Sequence, residues 1–152
     1  MPKLQSGSYQ IFLTRLGKKF LTMQGPDVDV GSPVVTAHPT GNIGEQDWNL
    51  EALSGDCVTL RNSASGKYAG YEGQAQVELP ITAMDHPTAF ELEPGNEPAQ
   101  FRLRVPRELT VGEVLYLGLS PELVAPTRVV LRPEPETWEF LFLFAKPLTC
   151  LI

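Results

Sequence analysis

The sequence predicts an all-β fold of twelve short strands, arranged as three similar repeats of four. Three observations predict it. The triplet Gln46-Asp47-Trp48 opens an alternating segment, and its Trp48-Asn49-Leu50 is echoed by Phe90-Glu91-Leu92 and Trp138-Glu139-Phe140, at intervals of 42 and 48 residues. Phe20, Tyr68 and Tyr116 fall 48 residues apart, each shortly after a glycine (Gly17, Gly66, Gly112). A period in that range is the mark of repeated supersecondary units. Fourteen prolines and thirteen glycines then break every run long enough for an amphipathic helix.

Taken in order, each repeat supplies an opening strand, a glycine-led second strand, a third strand and an aromatic closer. The openings are Tyr9-Gln10-Ile11, Cys57-Val58-Thr59-Leu60 and Phe101-Arg102-Leu103. The third strands are Pro33-Val34-Val35-Thr36-Ala37, Pro80-Ile81-Thr82-Ala83 and Arg128-Val129-Val130-Leu131. Alternation places Trp48, Phe90 and Trp138 in a core, with Gln46 free to hydrogen-bond nearby backbone. Proline- and glycine-bearing loops separate these pieces, the longest being the nine residues 24–32. Residues 61–66, small and polar over one turn, read as an exposed hairpin tip with Asn62 near its crest. The chain is expected to be a single domain over 1–152, with repeats near 7–52, 53–98 and 99–145 and a tail, 146–152, that has lost the pattern.

Bulk properties narrow the function. The net charge is −6, from 12 basic and 18 acidic residues, and in the middle third Asp56, Glu72, Glu78, Asp85, Glu91, Glu93 and Glu97 face only Arg61 and Lys67. Phosphate backbones need a cationic face, so a nucleic-acid partner is disfavoured. No run nears the roughly 18 apolar residues of a membrane span, and the N-terminus lacks an apolar core of signal-peptide length; a cytoplasmic location is the expectation. Cys57 and Cys150 read as reduced thiols, with Cys57 at a core-facing strand position. His38 and His86 each precede a proline and have no partner at metal-ligand spacing. The carboxylates are scattered over strands and turns. Neither catalysis nor a cofactor or metal is expected, which leaves recognition by loops on a rigid scaffold.

Gly7-Ser8-Tyr9-Gln10-Ile11, Pro33-Val34-Val35-Thr36-Ala37-His38-Pro39 and Gln46-Asp47-Trp48-Asn49-Leu50 resemble the small β-trefoil proteins of mushrooms, over nearly the whole chain to about Phe144. The resemblance implies six strands closing a barrel and six capping one end. It also implies three functional branches: mycocypins, which inhibit papain-like cysteine proteases and in some cases legumain; mycospins, which inhibit trypsin-like serine proteases; and ricin-B-like lectins, which bind glycans. Segments around Tyr9, Phe90 and Trp138 are similar to mycocypin segments, so a protease inhibitor is the first expectation and a lectin the alternative.

The residues follow from that resemblance. Legumain-blocking mycocypins present an asparagine between the fifth and sixth strands, where Asn62 falls; asparagine is also a favoured turn former, and both readings stay open. For papain-like targets the resemblance points to Arg15, Leu16 and Gly17 and to the loop containing Gly41 and Asn42. Mycospins present a basic residue between the second and third strands, where this chain offers Asp27 and Asp29 with no Lys or Arg; Arg15 or Arg132 would have to serve. Ricin-B-like sites use an aspartate at the end of the second strand and a stacking aromatic. Thr22 stands there in the first repeat, with Gly70 and Gly118 near it in the others. A divergent site would draw on Tyr71, Asp85 and His86, with Phe90 nearby.

Overall fold

The computed structural model describes residues 4–13, 15, 17–25, 27–110 and 112–145. Twelve strands run in order: β1 (Gly7–Leu13), β2 (Lys19–Thr22), β3 (Val35–Ala37), β4 (Trp48–Ala52), β5 (Cys57–Asn62), β6 (Tyr68–Gly70), β7 (Thr82–Met84), β8 (Phe90–Pro94), β9 (Gln100–Arg104), β10 (Tyr116–Leu119), β11 (Thr127–Arg132) and β12 (Trp138–Ala145). The helical residues among those described are two single 3-10 turns, Ser54–Asp56 and Arg107–Leu109.

Six strands close on themselves through antiparallel pairs: β1 with β4, β4 with β5, β5 with β8, β8 with β9, β9 with β12, and β12 with β1. A closed ring leaves no row of unpaired backbone groups to satisfy. Period-2 alternation sends every second side chain inward. One layer consists of the cross-strand pairs Tyr9 with Trp48, Val58 with Phe90 and Phe101 with Trp138, all buried. Its members come from the same place in each repeat. The register corrects one expectation: Val58, not Cys57, stands with Tyr9 and Phe101, and Cys57 is only half-buried. Its thiol is pushed up by burial and by the carboxylates of Glu91, Glu108 and Asp56, which outweigh Arg104.

The other six strands form three hairpins, β2–β3, β6–β7 and β10–β11, that cap one end. Their inner ends are tied by a cyclic set of backbone hydrogen bonds. Val34 N–H donates to the Ile81 carbonyl at 3.0 Å, Ile81 to Val129 at 2.9 Å, and Val129 back to Val34 at 3.0 Å. The barrel is pinned to this cap by its closers: the Trp48 indole N–H donates to the Leu21 carbonyl at 2.9 Å, and the Trp138 indole to the Leu117 carbonyl at 3.2 Å. Leu21 and Leu117 occupy the same register position in β2 and β10. A buried indole needs such a partner. Phe90, which has no N–H to satisfy, fills the third place. Beyond Phe140, β12 stays paired with β1 as far as Ala145, with Phe142 opposite Tyr9 and its ring 5.3 Å away, yet Leu141, Phe142, Leu143 and Phe144 are all exposed.

Trp48→Ala removes both a fully buried ring and a pin between barrel and cap. It should lower the unfolding free energy by about 3 to 5 kcal/mol, measured by chemical denaturation; a loss below about 1 kcal/mol would mean that the barrel does not depend on its closers.

Candidate functional site

The residues expected to meet a protease divide sharply. Asn62 is not at a hairpin crest. It is the last residue of β5, pairs with Trp48 and is only 1 % exposed. Its Nδ2 donates to the Glu45 carbonyl at 3.0 Å, and its Oδ1 accepts the Ser65 N–H at 3.1 Å. The turn begins after it, at Ser63, and its side chain holds that turn from below. The expectation of an exposed Asn62 anchor is therefore corrected: a carboxamide committed to backbone partners inside the molecule has nothing to present to a protease pocket. Arg15 is on the surface but paired through the Nε–Nη2 edge of its guanidinium with both carboxylate oxygens of Glu136, its Nε 3.1 Å from Oε1. Arg132 is likewise engaged, 3.0 Å from Glu78 and 3.0 Å from Glu134. Leu16 lies outside the described residues. Gly41 and Asn42 sit in an exposed loop between β3 and β4 whose neighbour Ile43 is 97 % exposed.

That loop is anchored from within. Glu45, 5 % exposed, accepts the Gly25 N–H at 2.8 Å. Burial raises its carboxyl, but the hydrogen bonds from Gly25, Asn42 and Thr40 prevail and hold it below its ordinary value. Gln46 completes the bracket, donating to the Thr22 hydroxyl at 3.0 Å and to the His38 carbonyl at 3.0 Å. Its expected role as a backbone-binding amide is what the structure shows.

The positions where ricin-B-like sites carry an aspartate are filled differently in each repeat. Thr22 is buried and spends its hydroxyl on Phe20 and Gln46. A Cβ at Gly70 would collide with the Thr88 hydroxyl, and one at Gly118 would lie 3.0 Å from Arg132 Cγ, so a side chain at either place would require its neighbour to move. The alternative set is not gathered either. The β6–β7 ladder pairs Tyr68 with Met84 and Gly70 with Thr82, which puts Asp85 beside Lys67, 3.6 Å away, at one end of the hairpin and Tyr71 beyond the other. Four strand residues separate them, roughly 13 Å. Tyr71 packs on the core with its ring 6.3 Å from Phe90, and burial pushes its phenol up, while Asp85 and His86 face solvent.

Polar side chains converge instead on the barrel wall, away from the loops to which the sequence points. A cleft of about 260 Å³ is lined by Asn49 and Glu51 of β4, Thr59 and Arg61 of β5, Tyr68 of β6 and the backbone at Gly7 and Leu50. Asn49 stands opposite Arg61 and Glu51 opposite Thr59. The inward residues between them, Leu50 and Leu60, are in the core, so alternation turns these four to the other face, where Asn49, Glu51 and Arg61 are exposed and Thr59, only 5 % exposed, forms the floor. Arg61 donates from Nε to the Gly66 carbonyl at 2.9 Å and lies over the Tyr68 ring at 5.4 Å. In the sequence its signal is the polar half of the pattern Trp48-Asn49-Leu50-Glu51 against Val58-Thr59-Leu60-Arg61.

Neither a family model nor a curated protein matches the chain. Solved structures do. The Rhizoctonia solani agglutinin matches with a TM-score of 0.77 at 18% identity, over 92% of this chain and 97% of that one. A designed threefold-symmetric protein, ThreeFoil, matches with a TM-score of 0.75 at 16% identity, over 90% of this chain and 99% of that one. The ricin B-like lectin of Macrolepiota procera, solved in complex with lactose, matches with a TM-score of 0.71 at 21% identity, over 93% of this chain and 99% of that one.

The chain is a β-trefoil.

Within this trefoil the cleft lies on the flank of the barrel, across β4, β5 and β6, and the bracketed β3–β4 loop lies at the cap. No group of three or more His, Cys, Asp or Glu placed to hold a metal occurs among the described residues, and none of their helices is long and apolar enough to cross a membrane.

Two outcomes test this description. Asn62→Ala leaves the Ser65 N–H without its acceptor and takes one of two hydrogen bonds from the Glu45 carbonyl, which keeps the Met23 N–H, so it should cost about 1 to 3 kcal/mol in denaturant unfolding, where an exposed turn residue would cost almost nothing. A carboxyl lower in the folded than in the unfolded chain adds stability above its ordinary value of 4.5, lost as pH falls through the folded value. Glu45→Gln should accordingly flatten the acid limb of the stability–pH curve; an unchanged limb would mean that Glu45 is not the group titrating there.

Proposed function

We propose that the protein is a saccharide-binding trefoil and that the cleft across β4, β5 and β6 holds the sugar. The observation that carries this reading is the composition of the cleft. A carboxamide (Asn49), a carboxylate (Glu51), a hydroxyl (Thr59), a guanidinium (Arg61) and a phenol (Tyr68) line one cavity of about 260 Å³. Adjacent ring hydroxyls each donate one hydrogen bond and accept others, so a sugar needs donors and acceptors interleaved at short range, beside an apolar surface for its C–H face. Asn49 and Thr59 offer both, Glu51 accepts, Arg61 donates, and the edge of Tyr68 supplies apolar surface. Because all five side chains stand on paired strands, little ordering entropy is lost on binding. The neighbouring Macrolepiota procera lectin, in complex with lactose, supports the class of ligand.

The inhibitor reading, first choice from the sequence, has lost its best residue with the burial of Asn62 and has Arg15 tied to Glu136. Its remaining support is the exposed Gly41–Asn42 loop.

A glycan array run beside papain, legumain and trypsin activity assays separates the two. Glycan binding without protease inhibition is expected, and Thr59→Val together with Tyr68→Ala should weaken the best glycan at least about 10-fold, or 1.4 kcal/mol. Inhibition of a protease with no glycan bound would overturn the proposal, as would glycan binding indifferent to both changes.

A further inference from the structure

The pseudo-threefold symmetry of the barrel allows the cleft to be compared with its own counterparts. Asn49, Arg61 and Tyr68 are cross-strand neighbours on β4, β5 and β6. One repeat on, Glu91, Arg104 and Tyr116 hold the same relation on β8, β9 and β10. In the remaining repeat Glu139, Phe12 and Phe20 do so on β12, β1 and β2. The same wall position is thus built three times, twice with an arginine at its centre.

The two arginines are in opposite states. Arg104 is 11 % exposed, with Nη2 3.0 Å from Glu91 and Nη1 3.6 Å from Glu93, so its charge is neutralised inside the molecule. Arg61 has a carboxamide, Asn49, where Arg104 has Glu91. Glu51 stands where Glu93 does, yet among the described residues Arg61 forms no ion pair with it or any other carboxylate, and its two terminal nitrogens have no hydrogen-bond partner. What fixes Arg61 is the Gly66 carbonyl at Nε and the Tyr68 ring beneath it. A guanidinium held at its inner nitrogen and its face, with no partner for its outer N–H groups among the described residues, is a preorganised fork for a carboxylate.

We infer that the saccharide taken by this cleft carries a carboxylate, as a uronic acid or a sialic acid does, and that Arg61 receives it while Glu51 accepts hydroxyl hydrogens farther along β4. This rests on the saccharide reading above. The acid group supplies beside Arg61 the charge that Glu91 supplies beside Arg104, next to the neutral carboxamide of Asn49. Glu51 lies two residues from Asn49, about 7 Å along the strand, far enough for the ligand's acid group and Glu51 to occupy separate ends of one sugar. A net charge of −6 opposes extended polyanions, so a single carboxylate on a short glycan fits better than a densely sulfated chain.

The test uses matched pairs that differ in the acid group: methyl glucuronide against methyl glucoside, and sialyllactose against lactose, titrated into the full chain by 1H–15N NMR. At least one acidic member should bind 10-fold or more tighter than its neutral partner. Arg61→Gln should erase that preference. Asn49→Glu, which rebuilds the Glu91–Arg104 arrangement, should erase it too while keeping a folded spectrum. Equal binding of acidic and neutral members, or an acid preference that survives Arg61→Gln, overturns the inference and leaves the saccharide reading standing. Absence of binding to these sugars and to every sugar on an array overturns both.

Discussion

Three backbone hydrogen bonds joining Val34, Ile81 and Val129 in a ring are the constraint on which the rest of the molecule depends. The strands of the cap are only three to six residues long, too short for any one hairpin to persist alone in water. Linked in a ring, each hairpin satisfies the inner edge of the next, and the indoles of Trp48 and Trp138 then have fixed carbonyls, at Leu21 and Leu117, to donate to. The barrel layer of Tyr9, Val58 and Phe101 packs against those closers in turn. Local strand propensity is thus converted into a single structure by closure, first at the cap and then around the wall.

The fold was legible because its signals are ones that survive repetition. Apolar alternation recurs with the same order three times, and the aromatic closers Trp48, Phe90 and Trp138 are fully buried, as their pattern implies. Register was less legible. A one-residue difference in how the second repeat opens puts Val58 rather than Cys57 in the core, and pattern matching does not resolve a shift that small. Asn62 shows a deeper limit. Composition marks residues 61–66 as a turn, but it does not say which polar residue is the last of the strand. Only tertiary packing, which places the Glu45 carbonyl within 3.0 Å of its carboxamide, turns a residue that looks like a loop tip into a buried bracket.

The chemistry proposed for binding is hidden in the sequence for a related reason. Sequence patterns point to loops, and the loops of this trefoil are largely occupied with themselves: Glu45 and Gln46 bind their backbone, Arg15 and Arg132 are paired, and Thr88 and Arg132 crowd the space beside Gly70 and Gly118. The outward half of β4 and β5 is free of those duties. Symmetry makes the contrast visible, since the same wall position is neutralised internally at Arg104 and left open at Arg61. A scaffold built three times can keep two copies for structure and leave the third to recognise something else.

The central claim is that the flank of the barrel, and not the cap, is the binding face. Mapping backbone amide shifts while adding the strongest glycan from an array tests it directly. The account predicts that the largest shifts fall on Asn49 to Glu51, Thr59 to Arg61 and Tyr68, with the β2–β3 loop and the Gly41–Asn42 loop unmoved. Shifts concentrated at Thr22, Gly70 or Gly118, with the flank silent, would contradict it.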